Sequence, residues 1–311
     1  MHLLLTGGTG FVGTYVSQAL LDAGHTLRCL VRDASERGGG NGLAVRGRDS
    51  VKVVQGDILK PDTLGPAMAG CDGVVHLVGI IEENPARGIT FERIHHEGTA
   101  NVVAAAKGTG IERFIHMSAN GAAPDGVSAY QTSKWAAEEV VRTAGFAHAV
   151  IFRPSVIFGD PGPGRPEFCS QLWDTLVRPF PILPVLGDGQ YELQPVHVTE
   201  VAAAFAQAVT SDAARGQRYC VAGRERVTFD ETLDHIARGA GIAPKKKLHQ
   251  PLWLARLAVN TAGRAGLLPI SPAQFAMLIA GNTCDPARFY ADFEVTPVPF
   301  TPDSLAYLRE R

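Results

Sequence analysis

Leu3-Leu4-Leu5-Thr6-Gly7-Gly8-Thr9-Gly10-Phe11-Val12-Gly13 is the stretch that decides the fold. Residues 1–6 read as one buried strand, the glycines that follow are spaced G-x-x-G-x-x-G, and residues 11–23 read as a helix that stops at Gly24. Each of Gly7, Gly10 and Gly13 has a reason: one permits the tight turn, one lets the backbone approach a pyrophosphate, and one lets the helix pack close to the strand. The helix then points its unpaired N–H groups and positive dipole end at that anion. Residues 26–31 supply the next apolar strand, the context that separates a phosphate loop from an ordinary glycine-rich turn.

Outward from this start, strands predicted at 51–55, 73–78, 113–117 and 149–152 alternate with helices, among them 91–107 and one opened near Tyr130. That alternation is the spacing of repeated βαβ units, so the fold class is α/β, a Rossmann-type doubly wound parallel sheet. The strand at 73–78 is nearly all apolar, as a parallel strand covered on both faces should be. Beyond Pro154 the composition shifts to proline and glycine at 160–166, and a smaller, mostly helical substrate lobe is expected. Residues 1–155 form the dinucleotide domain with 194–222 returning to it, and 156–193 and 223–311 form the lobe. Within the lobe, helices are expected at 168–177, from Thr199 as N-cap to about 209, and from Thr228, whose Glu231 completes a capping box. Residues 194–198 and 219–222 read as short strands, 179–184 as irregular chain, and Lys245-Lys246-Lys247 as a solvated basic run. The apolar helices at 251–262 and 273–280 read as lobe packing, with a greasy substrate channel or a membrane-surface contact as the sharper alternatives.

At 311 residues and 45% hydrophobic content the chain can bury a sizeable core. With 29 basic against 31 acidic residues nothing calls for nucleic acid, and a small-molecule substrate, possibly apolar, fits better. Five scattered cysteines without a C-x-x-C pair argue against a disulfide framework and a zinc site, so no metal is expected and a reducing cytoplasm is the predicted home. The N-terminus lacks a basic leader and reads as a strand, and no run approaches the length of a membrane span.

The second strand ends in Val31-Arg32-Asp33. A carboxylate at this place would hold the adenosine ribose, whereas an arginine pairs a 2′-phosphate, so Arg32 predicts NADP(H), with NAD(H) the alternative if Asp33 reaches the ribose. Residues 34–50, polar and carrying Gly38 to Gly42, read as a loop over the adenine end. Asp57 ends the third strand at the same sheet edge and is a candidate adenine contact. The chemistry is expected after the fifth strand. Tyr130 and Lys134 stand four apart on one helical face, and a cation beside the phenol would pull its pKa down from about 10 so that it can pass a proton near neutral pH. His197 reads as a packed surface histidine.

With these residues in hand, the chain resembles the extended or atypical short-chain dehydrogenase/reductases, the group that includes NAD-dependent epimerase/dehydratases. Arg153-Pro154-Ser155-Val156-Ile157-Phe158-Gly159, Gln194-Pro195-Val196-His197-Val198 and His95-His96-Glu97-Gly98-Thr99-Ala100-Asn101 are most similar to the branch containing the NADPH-binding accessory subunit of respiratory complex I. The resemblance implies that Gly7, Thr9, Gly10, Phe11, Val12 and Gly13 cradle the pyrophosphate and that Asp57 and Ile58 flank the adenine. It also implies that Leu77, Lys134 and Pro154 line the cofactor path and that Tyr130, Lys134 and Ser118 are catalytic. Two positions depart from the pattern: Ala119 stands where a hydroxyl is usual, leaving Ser118, Asn120 or Ser128 to serve, and His95 replaces the asparagine of the proton relay.

Overall fold

The computed structural model describes residues 1–32, 48–259, 261 and 272–311. Asp33 and the glycine-rich stretch 38–42 lie outside the described residues. The first half runs β1 (His2–Thr6), α1 (Phe11–Asp22), β2 (Thr26–Val31), β3 (Val51–Gln55), α2 (Leu64–Met68), β4 (Gly73–His76), α3 (Gly98–Gly108), β5 (Arg113–Met117), α4 (Ala129–Thr143) and β6 (His148–Pro154). The second half runs β7 (Ile157–Phe158), α5 (Phe168–Leu172), β8 (Leu183–Leu186), β9 (Glu192–Leu193), β10 (Val196–His197), α6 (Val198–Ala208), β11 (Gln217–Val221), β12 (Val227–Thr228), α7 (Phe229–Gly239), β13 (Lys247–Gln250), α8 (Leu252–Ala258), α9 (Pro272–Ile279) and α10 (Ala287–Asp292).

Seven strands form one parallel sheet in the order β3-β2-β1-β4-β5-β6-β11. Strand order reverses between β1 and β4, and in such sheets ligands bind in the crevice at the carboxyl ends where the order turns. Leu3, Leu4 and Leu5 are fully buried because helices cover both faces. On one side Leu3 and Leu5 pack with Val16 and Leu20 of α1 and Phe205 of α6, and on the other Leu4 packs with Leu64, Val102 and Val141 of α2, α3 and α4. The lobe has its own core, where Phe158, Trp173, Val185, Phe229, Leu233 and Ile236 meet Phe300 and Leu305. The chain after 223 is shared between the two cores, since Phe289 and Phe293 lie against Phe152 and Tyr219 of the sheet.

Several local expectations change. The cap of α6 is His197, two residues earlier than expected: its Nδ1 accepts the Thr199 N–H at 3.4 Å, while the Glu200 carboxylate accepts the His197 N–H. Residues 183–186 are a strand, because β8 pairs in parallel with β13, and that pairing joins segments too distant in sequence for a local pattern to reveal. Two of the three lysines are structural, since Lys245 Nζ donates to the carbonyls of Val177 at 2.6 Å and Phe180 at 2.8 Å and Lys247 pairs with Asp234, while Lys246 is exposed as expected. The capping box of α7 has Thr228 and Glu231 in the expected roles. No helix among the described residues is long and apolar enough to cross a membrane.

Candidate functional site

The glycine loop is shaped by exclusion. Gly7 has φ +77°, and a Cβ there would lie 3.0 Å from the Leu77 carbonyl carbon and the Val78 nitrogen. A Cβ on Gly13 would lie 2.1 Å from the Gly7 oxygen, so only glycine lets α1 start this close to β1. Gly10 differs: its N–H donates to Gly7 O at 3.1 Å, and a Cβ would meet nothing nearer than that oxygen at 3.4 Å. Gly10 is the N-cap of α1, no side chain caps the first turn and no acid lies in it. The first N–H groups, beginning with Phe11 and Val12, therefore face outward unpaired, which fits a pyrophosphate.

Other expected contacts sit along the same edge. Leu77 is buried beside Gly7, its N–H donating to Thr6 O at 3.2 Å. Ile58 is buried under Gly98, and its carbonyl accepts from Asn101 Nδ2 at 2.9 Å. The Asp57 carboxylate accepts the Leu59 N–H at 3.0 Å, so one oxygen is committed to holding its own turn. Arg32 is exposed at the end of β2, with no carboxylate partner among the described residues. Thr9 brings a residue that sequence reading missed: Arg165, from the loop before α5, donates Nε–H to the Thr9 carbonyl at 3.1 Å. A lone arginine in a proline-glycine loop carries no local signal of that contact.

At the ends of β5 and β6 a cleft of about 110 Å³ is lined by Ala119, Asn120, Tyr130, Pro154, Met277 and Asn282, among others. Tyr130 and Lys134 lie one turn apart on α4, whose N-cap is Ser128 with its hydroxyl accepting the Gln131 N–H. Lys134 is 3% exposed, its Nζ donates to Met117 O at 3.2 Å, and burial lowers its pKa to about 8. Gly79 makes room for it, since a Cβ there would lie 2.9 Å from Nζ. Burial acts on Tyr130 in the opposite sense to the expectation from sequence. The phenol is pushed up to about 12, with Lys134 spent on the Met117 carbonyl rather than on the phenol oxygen.

The sheet, the switch point and the glycine loop can now be set beside known proteins, and the model of the NAD dependent epimerase/dehydratase family matches residues 3–222. The chain belongs to that family. Its relatives include NADH dehydrogenase (ubiquinone) 1 alpha subcomplex subunit 9 of Dictyostelium discoideum, 27% identical over 79% of this chain and 65% of the relative. The corresponding Arabidopsis thaliana subunit is 30% identical over 73% of this chain and 55% of its own. A ceramide reductase of Caulobacter vibrioides is 33% identical over 64% of this chain and 58% of its own. The chain thus spans under two thirds of the length of these curated relatives. Among solved structures, gox2253 superposes with TM-score 0.74 at 26% identity, covering 98% of this chain and 96% of that one. UDP-glucuronic acid 4-epimerase of Bacillus cereus shares the fold with TM-score 0.76 at 18% identity, covering 100% and 96%.

The two positions that depart from the epimerase/dehydratase pattern have clear surroundings. Of the three stand-ins for the hydroxyl, Ser128 is engaged as a helix cap, and Asn120 Nδ2 donates to Asn282 Oδ1 at 2.8 Å and Thr283 O at 3.2 Å. Ser118 is 3% exposed and its Oγ has no hydrogen-bond partner among the described residues. His95 lies in a wide helical turn, Glu92–Glu97, that leads into α3. Its Nδ1 is 2.9 Å from Ser133 Oγ, which donates to Tyr130 O at 2.8 Å, and its Nε2 is 3.0 Å from the Ile80 N–H. Nε2 also lies 3.1 Å from the Ile80 carbonyl oxygen, and burial, helped by the Lys134 charge, lowers the pKa of the ring to about 2, so it is neutral. The ring stacks on Phe91 and meets Tyr130 edge-on at 5.3 Å. Beneath it His76 bonds Thr6 Oγ1 at 2.7 Å and Thr99 Oγ1 at 3.1 Å, and stacks on His116. Burial depresses both, His76 to about 3 and His116 well below its ordinary value.

Proposed function

We propose that this protein is an NADP(H)-dependent oxidoreductase that moves hydride between the nicotinamide and a carbonyl or alcohol carbon of an apolar substrate. The observation that carries the reading is the meeting of Tyr130, a half-buried phenol with no hydrogen-bond partner among the described residues, with a cleft at the carboxyl ends of β5 and β6. A bound nicotinamide supplies or accepts the hydride. Ser118 Oγ donates to the substrate oxygen, Tyr130 passes a proton to or from it, and Lys134 donates to the ribose and favours the phenolate once it turns from the Met117 carbonyl. Arg32 supports the 2′-phosphate form of the cofactor. The likeness to a ceramide reductase and the cleft lining of Met277, Pro154 and Ala119 support an apolar substrate. Among the described residues no lysine or arginine lines the cleft to clamp a diphosphate, so a sugar-nucleotide epimerase or dehydratase ranks last.

A second reading is a non-catalytic NADP(H)-binding protein, favoured by the neutral state in which burial holds Tyr130 and by the likeness to the complex I subunits. Tyr130→Phe separates the two. In the catalytic reading NADPH affinity is unchanged and turnover falls roughly a hundredfold or more, since ring packing stays and the proton donor goes. The measurement is calorimetric NADPH affinity together with substrate-dependent NADPH oxidation over aldehydes, ketones, quinones and sugar nucleotides. Turnover that survives the substitution removes Tyr130 from the chemistry. A parent that binds NADPH and turns over nothing on the panel favours the second reading.

A further inference from the structure

Six large apolar side chains stand in water at one end of the lobe: Phe180, Ile182, Leu248, Trp253, Leu254 and Leu257, with Leu248 60%, Trp253 70% and Leu257 56% exposed. Scattered singly they would need no explanation, but here they follow one another along connected backbone. Pro184 pairs with Leu248 in the β8–β13 ribbon, so Ile182, Pro184 and Leu248 share the face opposite to the buried Leu183 and Val185. The ribbon passes through Pro251 directly into α8, and Gly187 lies against Leu252, where a Cβ would come within 2.9 Å of Cδ1. That contact seats the start of α8 against the ribbon's end.

The charges around this patch decide what covers it. Of the acids near the ribbon, Asp234 is engaged by Lys247, Asp230 by His249, and Asp174 by Arg178 and Arg311, while Asp188, exposed in the turn after β8, accepts the Gln190 N–H at 3.0 Å. Lys246, two residues from Leu248 on the same ribbon face, and Arg256 on α8 are both exposed and have no carboxylate partner among the described residues. Lys245 is held beside Phe180 by the carbonyls of Val177 and Phe180. Tryptophan, leucine and isoleucine bordered by uncompensated cations match a fluid anionic interface, where an aromatic ring settles at headgroup depth and each basic residue adds about fivefold to binding.

We propose that the β8–β13 ribbon and α8 form a docking surface for an anionic lipid bilayer, on which the protein lies without spanning it. This goes beyond the proposed activity and does not depend on it. The test uses the full chain with vesicles of phosphatidylcholine alone and of phosphatidylcholine mixed with phosphatidylglycerol. The parent is expected to sediment with the mixed vesicles, several-fold less with phosphatidylcholine, and to lose binding as salt is raised. Trp253 fluorescence should shift to the blue on binding, and Trp253→Phe should lose that shift while still sedimenting. Trp253→Glu and Leu257→Glu should each lower partitioning about tenfold or more, and Lys246→Glu with Arg256→Glu should abolish the preference for phosphatidylglycerol, with unchanged circular dichroism and melting temperature. Absence of sedimentation with either vesicle overturns the proposal, as does sedimentation undiminished by Trp253→Glu and Leu257→Glu. Self-association on gel filtration that these two substitutions abolish, without vesicle binding, overturns it in favour of a second copy of the chain.

Discussion

In the glycine loop the backbone already has the shape an anion would need, whereas in the Tyr130 cleft the phenol is held neutral and the lysine is turned to a backbone carbonyl. A Cβ at Gly13 would sit 2.1 Å from Gly7 O, so steric exclusion alone holds the first N–H groups of α1 outward. Across the same edge of the sheet, burial raises the phenol to about 12, lowers the lysine to about 8 and leaves its ammonium on a backbone carbonyl. Anion binding needs geometry, which backbone packing fixes during folding. Proton transfer needs a charge balance that a protein interior opposes until a ligand arrives.

The sharpest way to break this contrast is to fill the loop. Gly13→Ala should overpack the β1–α1 junction, costing about 3 kcal/mol or more, so melting temperature and cofactor binding fall together. A Cβ on Gly10 meets nothing nearer than Gly7 O at 3.4 Å, so Gly10→Val should act mainly on the space a pyrophosphate would fill, and NADPH affinity should fall on the order of a thousandfold with little change in melting temperature. A Gly10→Val variant that binds NADPH normally would remove the loop from the phosphate site. A smaller effect is expected at the adenosine end. Arg32→Ala should weaken NADPH about tenfold and leave NADH nearly unchanged, and equal losses by calorimetry would show that Arg32 does not select the cofactor.

The smallest expected effect probes the cleft through pH. Lys134 carries its charge below about 8 and loses it above, so the ribose contact proposed for it should weaken as pH rises through that value. NADPH affinity of the parent should fall roughly threefold from about pH 7 to about pH 9, while Lys134→Met binds more weakly and shows no such slope. A slope retained in Lys134→Met would assign the titration to another group.

Where structure follows from neighbours in sequence, reading it needs little else. β2, β3 and β5 lie at the expected residues, and the glycine loop follows from spacing because its constraint is between atoms a few residues apart. The β8–β13 pair, the Asn120–Asn282 bond and the Arg165–Thr9 bond join distant segments, and no periodicity encodes them. For Tyr130 the four-residue spacing to Lys134 was legible and the consequence was not. The phenol's proton affinity is raised by burial beside Phe91 and His95, which come from another helix, and Lys134 is drawn to the Met117 carbonyl. The lobe boundary behaves similarly, since Phe289 and Phe293 join the sheet's core by tertiary packing alone.

The three neutral imidazoles beneath the cleft also tie the fold to acidity. An unfolded chain takes up a proton on each of His76, His95 and His116 near the ordinary value of about 6.5, whereas the folded chain refuses it until far lower. Between those limits the unfolded chain binds more protons, so the stability that this layer contributes is whole above about pH 6.5 and drains away as pH falls below it. Acid would therefore attack this molecule from its buried interior before it strips the ion pairs from its surface.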